Sequence, residues 1–121
     1  MSERPRILIV EDEMLIALMI KDIIEGLGFS VVGPAVRVDK ALLLAEEELA
    51  GAVLDVNIAG RPVYPVVVRL EERGVPLLFI TGYGNAGADL RHRNHPVLAK
   101  PFDAASLRQA LLDLVPSFRS S

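Results

Sequence analysis

Five short runs rich in Val, Ile and Leu alternate along this chain with longer segments of helical periodicity. The runs are Arg6–Val10, Ser30–Gly33, Gly51–Asp55, Pro76–Thr81 and Val97–Lys100. Most are apolar at successive positions, not at every second one, which is the pattern of strands covered on both faces. Helical patterns lie between them at Met14–Glu25, Asp39–Leu49 and Pro62–Arg73. In the second, Val38, Ala41, Leu42, Ala45 and Leu49 share a face. In the third, Pro62 suits a helix start, Val63, Val66, Val67 and Leu70 make the stripe, and Gly74 suits the end. Asp103 can cap a last helix whose stripe includes Leu107, Ala110, Leu111 and Leu114. Gly82 to Pro96 is rich in Gly, Asn, Arg and His, and predicts at most a short, weak helix. The alternation specifies a three-layer α/β sandwich, with a five-stranded parallel sheet and helices on both faces. Right-handed crossovers bring the strand C-termini to one edge, where such folds bind ligands.

Composition narrows the function classes. The 121 residues suit one domain, and an apolar fraction of 51% supports a real core. The net charge is −3 and no long basic run occurs, so a nucleic-acid surface is not expected. The absence of cysteine removes disulfides, thiolate metal sites and cysteine catalysis. The N-terminal apolar run is too short for a signal sequence or a membrane span, so the expected location is the cytoplasm and no membrane partner is expected.

The strand ends carry the chemistry. Glu11 and Asp12 follow the first run, Asp55 closes the third, Thr81 the fourth, and Lys100 the fifth before Pro101. Singly, each has an ordinary reading: Asp12 as a helix cap, Thr81 as a turn hydroxyl, Lys100 as a rim charge. Together they place three carboxylates, a hydroxyl and an amine at one sheet edge. Clustered carboxylates call for a cation, and an all-oxygen set without Cys points to Mg²⁺. A lysine and a hydroxyl beside it complete a cradle for a phosphoryl group. Asp55, on the central strand, is then the candidate nucleophile, forming an acyl phosphate.

These residues, in "ILIVEDE", "AVLDVNIAG", "FITGYG" and "LAKPF", resemble the CheY-like receiver domains of two-component response regulators over essentially the whole chain. The resemblance implies a flavodoxin-like sheet in the order 2-1-3-4-5. It implies that Asp55 accepts phosphate from a sensor histidine kinase or a histidine phosphotransfer protein. It further implies that Asp12, Asp55 and the backbone carbonyl of Asn57 ligate Mg²⁺ with Glu11 assisting, that Thr81 and Lys100 bind the phosphoryl group, that Lys100–Pro101 is cis, and that Gly82 leaves access. Two departures stand out. Val97 occupies the fifth-strand position that usually holds an aromatic switch residue, and the segment after the fourth strand is short and glycine-rich. With "FITGYG", both resemble a subgroup known mostly from alphaproteobacteria and marked by a Phe-Ala-Thr-Gly-Tyr motif, with Ile80 in place of its Ala. In that subgroup Tyr83 is the aromatic near the phosphate, a candidate switch or gate.

Met14 to Ile20 is uniformly nonpolar, and helical spacing puts Met14 and Leu18 on the face of Lys21, Asp22 and Glu25. Exposed apolar residues beside the site predict a docking surface for the phosphodonor. His92, His95 and Glu46–Glu48 read as solvated. The expected protein is a stand-alone receiver spanning 1–121, a monomer or weak dimer, whose output is binding a downstream protein, relaying phosphate or draining a kinase. Two rivals are a receiver-like interaction module that is never phosphorylated and a small aspartate-nucleophile phosphatase. The phosphatase needs a general acid, commonly two residues after the nucleophile, where this chain has Asn57.

Overall fold

The computed structural model describes residues 4–58, 60–82 and 95–115. In chain order the elements are β1 (Arg6–Val10), α1 (Met14–Gly26), β2 (Ser30–Ala35), α2 (Val38–Leu44) and β3 (Gly51–Asp55). They continue with β4 (Asn57–Ile58), β5 (Arg61–Pro62), α3 (Tyr64–Glu72), β6 (Leu77–Thr81), β7 (Val97–Ala99) and α4 (Ala104–Leu114). The main sheet has the order β2-β1-β3-β6-β7, and all of its pairings are parallel. Counting only these five strands, this is the order 2-1-3-4-5, as expected. The expected weak helix between the fourth and fifth sheet strands lies outside the described residues.

Residue parity along the strands builds the three layers. Leu8, Val10, Leu54 and Phe79 point to one side and join the cores of α2 and α3. Ile7, Ile9, Val53, Leu78 and Ile80 point to the other and meet Ile20 and Ile24 of α1 and Leu107 and Leu111 of α4. Covering both faces is why the strands are continuously apolar: all five residues of Leu77–Thr81 are buried.

Several boundaries differ from the sequence reading for identifiable reasons. The second helix stops at Leu44, not Leu49. Arg73 Nη1 donates to the carbonyls of Ala45 and Glu47, both at 2.6 Å, and holds the chain in a turn toward β3. Glu46 and Glu47 are not merely solvated: Glu46 takes a two-pronged contact from Arg69, and Glu47 pairs with Arg6. The third helix begins at Tyr64, with Pro65 in its first turn. Pro62 belongs instead to the short antiparallel β4–β5 hairpin, which hydrophobic periodicity did not reveal. Gly60, at φ 79°, sits in its turn. Asp103 caps α4 as expected: its Oδ1 accepts from the Ser106 amide at 2.7 Å, and this holds the Asp103 carboxyl below the usual carboxylate range.

Strand β2 is the least expected element. It runs past Gly33 to Ala35 through a cis Gly33–Pro34 bond. Its register against β1 shifts between Leu8 and Val10, so the extra residue is absorbed in a bulge. Ala35 is thereby paired with Val10, and the Glu11 amide donates to the Ala35 carbonyl at 3.0 Å.

Candidate functional site

Parallel registry does most of the assembly. Val10 pairs with Leu54, Asp55 with Ile80, and Thr81 with Ala99. The residues that follow or close these strands therefore emerge side by side: Glu11–Asp12 after β1, Asp55 at the end of β3, Thr81 at the end of β6 and Lys100 after β7. Carboxylate oxygens of Glu11, Asp12 and Asp55 all lie within 4.8 Å of one another. Lys100 Nζ donates to Asp55 Oδ2 at 2.8 Å. It is 3.2 Å from Glu11 Oε1 and 3.4 Å from Glu13 Oε1. Thr81 is buried on the far side of Asp55, and its carbonyl accepts from the Lys100 amide at 2.8 Å. The Lys100–Pro101 bond is cis.

Glu11 is the most constrained member. It is 1% exposed, although it is a carboxylic acid. Its Oε2 accepts from the Glu13 amide at 3.1 Å. Its Oε1 is buried with no hydrogen-bond partner among the described residues, the Lys100 contact being an ion pair out of line for one. Burial pushes the Glu11 carboxyl up, and the neighbouring Asp55 charge adds to this; the Glu13 amide and Lys100 pull it partly back. Burial also opposes the Lys100 ammonium, but the hydrogen bond and charge of Asp55, with Glu11 behind them, outweigh it and hold Lys100 well above an ordinary lysine. Asp55, not Glu11, is the partner that fixes the ammonium.

A cleft of about 630 Å³ opens over these groups. Its polar wall includes Asp12, Glu13, Asp55, Thr81 and Lys100, and Ile16, Met19 and Phe102 form an apolar wall. Asp12 is exposed, and the N-cap position of α1 falls to Glu13, one residue on. Gly82 lines the cleft, and among the described residues a Cβ there would meet Lys100 Cβ and Cδ, both at 3.9 Å. The Asn57 backbone begins β4, two residues beyond Asp55. Tyr83 and His92 lie outside the described residues.

Met14 and Leu18 are exposed, at 51% and 45%. Sequence spacing missed that Leu15 is more so, at 84%, and that Met19, at 39%, extends the same face into the cleft. Counting from the polar residues marked only one edge of a wider exposed strip. His95 is a correction: it is not a solvated loop residue. Its Nε2 lies 2.8 Å from Glu71 Oε2, and its ring stands edge-on to the buried Phe79, with centroids 5.7 Å apart. Among the described residues no helix is long and apolar enough to cross a membrane.

No family model matches the chain. It is similar to SdrG from Sphingomonas melonis Fr1, with 40% identity over 94% of this chain and 98% of that one and a TM-score of 0.80. It is also similar to the response regulator receiver domain of PhyR from Erythrobacter litoralis, with 27% identity over 92% of this chain and 89% of that one and a TM-score of 0.80. The phyllosphere-induced regulator PhyR of Methylorubrum extorquens is 35% identical over 107 residues, 84% of this chain. The chain spans about 40% of that relative's length.

Proposed function

Because the chain belongs to the receiver domains of response regulators, we propose that it is a phosphoacceptor switch in which Asp55 takes a phosphoryl group from a histidine donor. The observation that carries this reading is the 2.8 Å bond from Lys100 to Asp55, beside three carboxylates whose oxygens lie within 4.8 Å of each other. One lysine cannot balance that many acids. A divalent cation fits here, because the donor set is all oxygen and the buried Glu11 Oε1 has no hydrogen-bond partner among the described residues. Asp12, Asp55 and the Asn57 carbonyl would hold Mg²⁺, with Glu11 beneath them. When bound, it would neutralise charge on the phosphoryl oxygens and lower the cost of bringing an anion to the acids.

The chain's own groups have definite tasks. An Asp55 carboxylate oxygen attacks phosphorus; the Asp–phosphorus bond forms as the donor's N–P bond breaks, and the electron pair returns to the imidazole nitrogen. Lys100 leaves Asp55 for a phosphoryl oxygen, and the Thr81 hydroxyl donates to another. Water later attacks the acyl phosphate, and Gly82 keeps its approach open. The domain catalyses only its own phosphorylation and dephosphorylation. The new charge shifts a two-state equilibrium that changes partner binding. We place the chain in the Phe-Ala-Thr-Gly-Tyr subgroup, with Tyr83 taking over from the missing aromatic at Val97.

The donor would dock on Met14, Leu15, Leu18 and Met19 of α1. The test is phosphotransfer from a phosphorylated histidine phosphotransfer protein that modifies the wild-type chain. Asp55→Ala should receive nothing. Leu15→Glu and Leu18→Glu should each slow transfer by about tenfold, the scale of one lost interface anchor, while leaving uptake from acetyl phosphate unchanged. Transfer to Asp55→Ala would overturn the acceptor assignment, and unimpaired transfer to both α1 variants would overturn the docking face.

A further inference from the structure

Glu13 is a third carboxylate lining the cleft, beside Asp12 and Asp55, and the chemistry above does not use it. It occupies the N-cap position of α1, yet its side chain makes no capping bond. Its amide serves Glu11, and its carboxylate reaches across to Lys100, with Oε1 3.4 Å from Nζ. The side chain is 64% exposed, so the contact adds little stability. Its position is what matters. Glu13 lines the cleft that opens over Asp55. It adds negative charge there, and it shares the ammonium that has to meet the incoming phosphoryl oxygen.

Resting on the phosphoacceptor reading, we propose that Glu13 is a positioning residue that selects phosphodonors by charge. In the unmodified domain it draws Lys100 toward the mouth of the cleft. It repels small dianionic acyl phosphates more strongly than monoanionic phosphoramidates. A donor docked on a protein surface overcomes this repulsion through its other contacts, so Glu13 favours a protein source over small acyl phosphates. With acetyl phosphate, the Asp55–phosphorus bond forms as the acyl O–P bond breaks and acetate leaves with the electron pair. With phosphoramidate, the N–P bond breaks and ammonia leaves from a nitrogen that is already protonated.

The test compares initial rates of phosphoryl uptake by the wild type, Glu13→Gln and Glu13→Lys, read by intact mass at saturating Mg²⁺. Each protein is given acetyl phosphate or phosphoramidate over a series of ionic strengths. Glu13→Gln should gain about two- to fivefold with acetyl phosphate, the scale of one exposed charge contact, and distinctly less with phosphoramidate. Glu13→Lys should gain more. The difference between donors should fade at about 1 M salt, where screening is nearly complete. A purely structural role would move both donors alike. Equal changes with both donors, a fall with acetyl phosphate, or a gain indifferent to salt would overturn the proposal. If the wild type is modified and the variants keep its donor ratio, only the Glu13 proposal fails. If neither donor modifies the wild type, the phosphoacceptor reading falls and takes this proposal with it.

Discussion

Lys100→Met should lower stability at neutral pH by about 2–3 kcal/mol, the cost of leaving a buried acid without its cation, or roughly 10 °C in Tm for a domain of this size. The lysine side chain is 14% exposed and faces Asp55, Glu11 and Glu13. Methionine fills a similar volume, so packing is largely kept and the effect is electrostatic. The pH profile separates the two causes. The folded-state pKa of Glu11 is raised, chiefly by burial. A raised group contributes stability that is fully present below the unfolded value of 4.5 and is lost as pH rises through the folded value. Without Lys100 that folded value rises further. The variant should therefore recover much of its deficit as pH falls toward 4.5, and millimolar Mg²⁺ should restore part of it at neutral pH by binding the native state. The check is thermal unfolding of wild type and variant across pH, with and without Mg²⁺. A deficit independent of pH would mean that the loss is packing, not charge.

Gly33→Ala should cost about 3 kcal/mol or more, a large effect for removing no contact at all. Gly33 has φ 98°, and an added Cβ would lie 2.8 Å from the Ala35 amide nitrogen and 2.9 Å from the Ile9 carbonyl oxygen. Both neighbours are backbone inside the sheet, so neither can swing aside. The strain falls on the bulge that carries β2 to Ala35, and the Ala35 carbonyl anchors the Glu11 amide. Stability and the acid cluster should suffer together: chemical denaturation should show the loss, and the variant should bind Mg²⁺ more weakly than wild type in calorimetric titration. Gly74→Ala is the internal control. It also has a positive φ, of 71°, but a Cβ there meets none of the described residues within 4 Å, so its cost should be only that of the backbone conformation.

These two positions mark how far the sequence can be read. The architecture was legible because parity and burial agree: Ile7 and Leu8 go to opposite cores, so the run is apolar throughout and the sheet must be covered on both faces. The site was legible because strand ends in a parallel sheet converge, whichever side chains they carry. The β2 bulge was not legible, because a Gly-Pro pair reads as a strand end when nothing local says that the chain resumes pairing beyond it. The early end of α2 goes with Arg73, nearly thirty residues away, donating to the carbonyls of Ala45 and Glu47 just past it. The β4–β5 hairpin is two residues per strand, too short for periodicity to register. Both the seating of His95 against Glu71 and the reach of Glu13 to Lys100 arise only in the folded chain.

The central claim is that Asp55 is a phosphoacceptor supported by the acids around it. The most direct test is the intact mass of the chain after incubation with acetyl phosphate and Mg²⁺, alongside Asp55→Asn and a sample with the metal chelated. The account predicts the gain of one phosphoryl group in the wild type, and none in Asp55→Asn or without Mg²⁺. An unchanged wild-type mass, or a gain that survives Asp55→Asn, would contradict it.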